Sequence, residues 1–199
     1  MTPTPVRSML YIPGGRESAL RKARQIPTDA IIFDLEDAVA VTEKEFARET
    51  LIKELVEGSY GRRTKIVRVN SLHTHWGRDD IAAVSSVKPD GILLPKVDSA
   101  SNIFELRAEM DKHVGLKKTK IWAMMETPRG ILNASEIADS PDVVGMVMGT
   151  NDLGKELNAC LDPKRNSMSF SLGLCISVSY THLRAHETRH DLVCRLLLE

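Results

Sequence analysis

From residue 8 to about residue 157, short apolar runs alternate with longer amphipathic segments at a steady beat. The runs are SMLYIP, AIIFDLE, KIVRVN, GILLPKV, KIWAMME and VVGMVMG. Between and after them come RESALRKARQ, EKEFARETLIKELVEG, a stretch around GRDDIAAVSSV, SASNIFELRAEMDKHV, GILNASEIADS and NDLGKEL. Near-continuous apolar runs read as strands buried on both faces, and most of the intervening segments space their apolar residues as helices do. Repetition of that pair predicts βα units around a parallel sheet. The expected fold is therefore α/β, a TIM (β/α)8-type barrel that is incomplete, with about six βα units present. A doubly wound sheet is the runner-up, because periodicity does not separate the two.

A chain of 199 residues with 42% hydrophobic content suffices for one domain with a sizeable core. Lys plus Arg and Asp plus Glu both total 27, so no net field favours nucleic acid or an anionic membrane, and the expected partner is a small molecule. MTPTPVRSML has no apolar run of signal-peptide length and no stretch approaches a membrane span, which leads us to expect a cytoplasmic protein. Cys160, Cys175 and Cys194 form no CxxC pair and read as reduced thiols.

The polar residues fall where a parallel βα fold does its chemistry, at or just past the C-terminal ends of the apolar runs. Glu126 and Asp152 end or follow consecutive candidate strands, so a barrel sets their carboxylates side by side at its mouth. Two carboxylates with no Cys or His nearby suit a hard cation, Mg²⁺ or in its place Mn²⁺, that keeps several waters for a substrate to replace. The alternative is that each acid caps the helix after it. DLED clusters Asp34, Glu36 and Asp37, and such like charges raise one another's pKa unless something positive compensates. A hydrated metal would serve, as would Arg68, which interrupts the apolar run KIVRVN; the competing account is a capping turn. The planar fork of Arg68 suits a carboxylate or a developing enolate oxygen, or a structural ion pair with a DLED acid, or both. Arg7, Arg16, Arg21 and Lys22 bracket the first strand and helix beside a PGG turn expected to leave backbone N–H groups free. That combination suits a phosphate-bearing ligand, against the alternative of a solvated helix face. His73, His75 and Trp76 follow RVN, beside the expected mouth.

Together these stretches resemble the HpcH/HpaI aldolase and citrate lyase family, especially its citrate lyase beta-subunit-like CoA-ester lyases. RSMLYIPG, DLEDAV, IVRVN, LPKV, METPRGI and GTNDL stand in family order over residues 7 to about 157, and RNSMSFSLGLC extends the likeness to about Cys175. The resemblance implies a barrel that binds Mg²⁺ through Glu126 and Asp152. It implies Glu36 and Asp37 on metal-bound waters, Arg68 on substrate oxygens, and Arg7, Arg16 and Lys22 near coenzyme A. It implies cleavage or formation of a 3-hydroxyacyl-CoA, such as malyl-, citramalyl- or citryl-CoA, through an acyl-CoA enolate and a 2-oxo acid, in a homo-oligomer when full length. One alternative is a CoA-independent aldolase acting on hydroxy-oxo acids, and another a non-catalytic subunit.

THLRAHETRH departs from that pattern. His182, His186 and His190 recur at four-residue spacing beside Glu187, as in a zinc-binding helix. However, VSYTHLRAHETRHDLVCRLLLE resembles the translation of a transposon-type sequencing-library adapter. Val178 to Glu187 back-translate as GTC TCT TAT ACA CAT CTC CGA GCC CAC GAG, and Leu192 to Glu199 as CTC GTA TGC CGT CTT CTG CTT GAA, in one frame. We therefore divide the chain into a partial barrel, 1–176, and an adapter-derived tail, 177–199. A barrel stopped after six units exposes strand edges, so this exact chain is expected to be poorly soluble and inactive.

Overall fold

The computed structural model describes residues 6–159, 165–183 and 196–198. The chain divides into two compact units, Val6–Leu94 with Leu106–Lys120, and Pro95–Glu105 with the chain from Ile121 onward.

The first unit runs β1 (Met9–Pro13), α1 (Glu17–Ala23), β2 (Ala30–Asp34), α2 (Lys44–Glu57), β3 (Thr64–Arg68), α3 (Gly77–Val84) and β4 (Gly91–Leu94). Its strands are parallel and lie in chain order, with Met9 beside Ala30, Ala30 beside Thr64 and Ile66 beside Gly91. That order has no reversal, which is what a barrel requires and a doubly wound sheet does not show. Every residue of β2 is buried, which is why AIIFD is an unbroken apolar run ending in an acid. One 3₁₀ turn, Val41–Glu43, leads into α2, whose Ala47, Thr50, Leu51 and Glu54 face inward. Glu54 accepts from Arg24 and, at 3.4 Å, from Arg21 Nε, tying α2 to α1. The Phe33 ring meets Tyr60 edge-on, with centroids 5.0 Å apart.

α4 (Ala100–Asp111) leads on to β5 (Lys120–Met125). In the second unit β5 lies parallel beside β6 (Val143–Met148), with a register shift that places Trp122 beside Gly145. A side chain on Gly145 would begin 2.2 Å from the Trp122 ring, so the shift and the glycine accommodate the indole together. GILNASEIADS forms two short helices, α5 (Pro128–Leu132) and α6 (Ala134–Ala138), where its spacing predicts one. The break is at Asn133, whose side-chain amide donates to the Asp98 carbonyl at 2.8 Å. Then come α7 (Thr150–Glu156), α8 (Ser169–His182) and a three-residue β7 (Leu196–Leu198) parallel to β6. α8 continues past residue 176, and Cys175 on it is a buried free thiol. His186, Glu187, His190, Cys160 and Cys194 lie outside the described residues.

The six expected strands thus fall on β1 to β6, and the fold is α/β, an incomplete TIM-type barrel.

Candidate active site at the strand ends

In the first unit, β2 ends at Asp34 and β3 at Arg68, directly opposite in the parallel register. Arg68 Nε donates to Asp34 Oδ1 at 2.8 Å and Nη2 to Oδ2 at 2.5 Å, with the two side chains 5% and 1% exposed. Asp34 also accepts the Glu36 N–H at 2.8 Å and the Ala38 N–H at 3.1 Å, so this one carboxylate closes the turn and anchors the guanidinium. Arg68 Nη1 lies 3.3 Å from Glu36 Oε2, and its guanidinium carbon sits 5.2 Å from the centre of the Tyr11 ring. Burial alone would lower the Arg68 pKa, but the hydrogen bonds and charge of Asp34, joined by Glu36, hold it raised. Glu36 is pushed up, first by burial and then by Asp37 and Asp34, against the pull of Arg68. Asp37 is exposed, and its N–H donates to Glu36 Oε2 at 3.0 Å. The capping turn and the Arg68 ion pair weighed from the sequence are therefore both present.

A further cation, Lys44, is buried beneath this turn. Its ammonium donates to the Leu35 and Glu36 carbonyls at 2.9 and 2.7 Å and to Asn70 Oδ1 at 2.8 Å, filling its three donor positions. Burial lowers its pKa, opposed by Glu36, Asp34, Asp80 and Asp37. Asn70 donates in turn to Leu35 O at 2.9 Å and to Asp80 Oδ2 at 2.7 Å, and Asp80 accepts from Arg48 Nε at 2.8 Å. Sequence reasoning missed Lys44 and Asp80. One signal for Lys44 was a cation in the first turn of a helix, where the dipole disfavours it unless acceptors hold it. The signal for Asp80 was its place on the inner face of α3 with Gly77, Ile81 and Val84.

The basic residues assigned to the ligand are not brought together. Arg7 precedes β1 and pairs with Asp29, which precedes β2, through Nε and Nη2 at 3.0 and 2.9 Å. It therefore lies at the opposite ends of the strands from Arg68. Arg16 is exposed at the start of α1, and Lys22 is exposed in its last turn, on the way to β2. The PGG turn corrects an expectation. The Gly14 N–H donates to Asp34 O at 2.8 Å and the Arg16 N–H to Pro13 O at 3.2 Å, so these donors serve packing and are not free for a phosphate. His73 and His75 are exposed; the Lys44 ammonium lies over the Trp76 ring, 5.7 Å from its centre.

In the second unit, Glu126 follows β5 and is buried; its Oε1 accepts the Lys96 N–H at 2.7 Å. Gly149, just after β6, approaches the other oxygen so closely that a Cβ there would lie 2.5 Å from Glu126 Oε2. Asp152 stands in the first turn of α7, its Oδ2 3.8 Å from Lys96 Nζ and its Oδ1 2.7 Å from Lys155 Nζ. METPRGI also gains a local reason. Thr127 caps α5 by accepting the Gly130 N–H at 3.0 Å, Pro128 occupies the first turn, and a side chain on Gly130 would strike the Val97 carbonyl at 2.1 Å.

A third grouping has the connectivity of a hydrolase triad. His182 Nε2 is 2.9 Å from Ser135 Oγ, and its Nδ1 is 2.6 Å from Asp139 Oδ1. The Asp139 side chain is 65% exposed, so water solvates the carboxylate that a working triad keeps buried.

Comparison with known proteins settles the family. The model of the HpcH/HpaI aldolase/citrate lyase family matches residues 7–179. The chain belongs to that family. A (3S)-malyl-CoA thioesterase of Cereibacter sphaeroides is 53% identical over 178 residues, 89% of this chain and 60% of that protein. The citrate lyase subunit beta of Escherichia coli is 34% identical over 171 residues, 83% of this chain and 57% of that one. Among solved structures, the citrate lyase beta subunit of Mycobacterium tuberculosis, complexed with oxaloacetate and magnesium, is 26% identical at a TM-score of 0.72, over 88% of this chain and 74% of that one. Protein CitE of the same organism, in complex with magnesium, acetoacetate and coenzyme A, gives the same score and identity over 88% and 62%. The chain spans about 60% of the length of the curated relatives it matches.

Glu126 and Asp152 offer carboxylate oxygens, the donor type that a hard cation such as Mg²⁺ takes, and both contact one residue, Lys96. Among the described residues no group of three or more His, Cys, Asp or Glu side chains could hold a metal ion. No described helix is long and apolar enough to cross a membrane.

Proposed function

We propose that the protein is a Mg²⁺-dependent carbon–carbon lyase that cleaves or forms a 3-hydroxyacyl-CoA of the malyl-, citramalyl- or citryl-CoA type. The observation that carries this reading is the arrangement of Glu126 and Asp152 around Lys96, with Glu126 Oε1 fixed by a backbone N–H. Glu126 and Asp152 are the groups that hold the cation. Bound there, Mg²⁺ supplies Lewis acidity toward the 2-oxo acid carbonyl or the alkoxide from which it forms. In the first unit, Arg68 is held charged and immobile by Asp34, so it presents a preorganised cation to substrate oxygens without reorganising. Glu36, whose pKa burial and the neighbouring acids raise, stands beside Arg68 with the water-exposed Asp37 next to it. Arg16, at the start of α1 just past β1, is the remaining candidate for the phosphates of coenzyme A.

The test is a thioester assay on the full-length gene product. With malyl-CoA and Mg²⁺, cleavage releases glyoxylate, trapped as its phenylhydrazone, while the acetyl thioester persists. Activity should vanish with chelator and in Glu126→Gln or Asp152→Asn. Undiminished cleavage after metal removal would sink the reading. A second reading, hydrolysis of the malyl thioester itself, is favoured by the 53% identical Cereibacter thioesterase. It differs in releasing free CoA thiol and malate with no glyoxylate, so a thiol reagent run in parallel separates the two.

A further inference from the structure

Lys96 adopts φ 50°, in the left-handed region that a side chain makes costly, and it is neither glycine nor asparagine. The two residues that follow it are both tied down. The Val97 N–H donates to Met124 O at 3.4 Å, and Thr127 Oγ1 donates to Asp98 Oδ1 at 2.5 Å. The strain aims the Lys96 N–H at Glu126 and lets the ammonium reach Asp152, so one residue addresses both carboxylates. The two contacts differ in permanence. The N–H bond is short and lies against a buried acid, whereas the ammonium stands 3.8 Å from Asp152 on a side chain 52% exposed. Lys155 holds the other Asp152 oxygen more closely, at 2.7 Å, from the same helix.

We propose that Lys96 is the exchangeable counter-ion of the Glu126–Asp152 pair. Its ammonium balances Asp152 when no divalent cation is bound and is expelled when one enters, while its N–H keeps Glu126 aimed. Lys155, closer and on the same helix as Asp152, stays. This rests on the metal reading above and adds to it a built-in competitor that weakens cation binding.

Mn²⁺ binding to the full-length protein, followed by electron paramagnetic resonance with Mg²⁺ competition, tests it with three variants. Lys96→Asn removes the charge but tolerates the left-handed backbone, and should bind Mn²⁺ about three- to tenfold more tightly, the scale of one charge at a solvated site. Lys96→Arg keeps the charge and should bind like the parent. Reductive methylation read by mass spectrometry supplies the second readout: Mg²⁺ should raise the labelling rate of Lys96 and leave that of Lys155 unchanged. Lys155→Asn, run alongside, should leave the Mg²⁺-induced rise at Lys96 intact. Absence of saturable Mn²⁺ binding by the parent overturns the metal reading and this inference with it. Saturable binding with no tightening in Lys96→Asn, or with Lys96 labelled no faster, overturns the inference alone.

Discussion

Asp34 and Asp152 occupy comparable places, at or just past the C-terminal end of a strand, and they face opposite circumstances. Asp34 is buried and accepts four N–H donors, two from a guanidinium that is itself buried. Asp152 is partly exposed and meets two ammonium groups carried on solvent-facing lysine stems. Removing a donor from Asp34 strands a charge in low dielectric, whereas Lys96 can leave Asp152 for water at little cost. An acid in a strand-end motif is therefore not a ligand by position alone. Whether its partners can be exchanged separates a scaffold acid from one that can receive a cation.

The largest effect expected from this contrast is on stability. Asp34→Ala leaves Arg68 buried without its bidentate carboxylate and should cost about 3–5 kcal/mol, as broken buried pairs do. Asp152→Asn should cost under about 1 kcal/mol, as exposed pairs do. Urea denaturation of the full-length protein measures both, and equal costs would break the comparison. Lys44→Met extends the scaffold side. It removes three hydrogen bonds and leaves the Leu35 and Glu36 carbonyls short of a donor, so about 2–3 kcal/mol is expected, with the turn that carries Glu36 loosened. A loss under about 0.5 kcal/mol would mean that water replaces the ammonium there.

The fold was legible because its strands are apolar on both faces, and an acid or arginine inside such a run is conspicuous. Asp34, Arg68 and Glu126 stood out for that reason. Lys44 did not, since it is one charge among several in EKEFARETLIKEL and its burial depends on carbonyls from a different segment. The break at Asn133 was equally hidden, because its cause is Asp98, thirty-five residues earlier. Arg7 shows the converse, since its pairing with Asp29 at the other strand ends was not legible. Its distance from the strand ends follows from which side of β1 it precedes, and the likeness to a family pattern does not state that.

Gly149→Ala sharpens the cation side. A methyl group there meets Glu126 Oε2 and Cβ at 2.5 and 2.7 Å, and Glu126 is held at its other oxygen by Lys96. Overpacking of this kind costs about 1–3 kcal/mol. The displaced carboxylate should also weaken Mn²⁺ binding, which Asp34→Ala in its folded fraction should not do.

The smallest effect compares like with like. Asp29 and Arg7 repeat the bidentate chemistry of Asp34 and Arg68, but Arg7 is exposed and the pair lies at the opposite strand ends. The Arg7 hydrogen bonds, backed by its charge, outweigh burial and lower the Asp29 pKa from 3.8 to about 2. The folded state therefore binds fewer protons here than the unfolded state at acid pH. The pair's contribution is fully present above the unfolded value near 3.8 and is lost as pH falls through about 2. Asp29→Asn should flatten that part of the acid limb in thermal melts, while leaving its difference from the parent constant at higher pH. Salt should shrink the difference, because both groups are within reach of water. An acid limb unchanged by Asp29→Asn would show that an exposed Arg–Asp fork, however good its geometry, contributes nothing that titration can detect, and would place the whole stabilising value of this pairing in its buried copy.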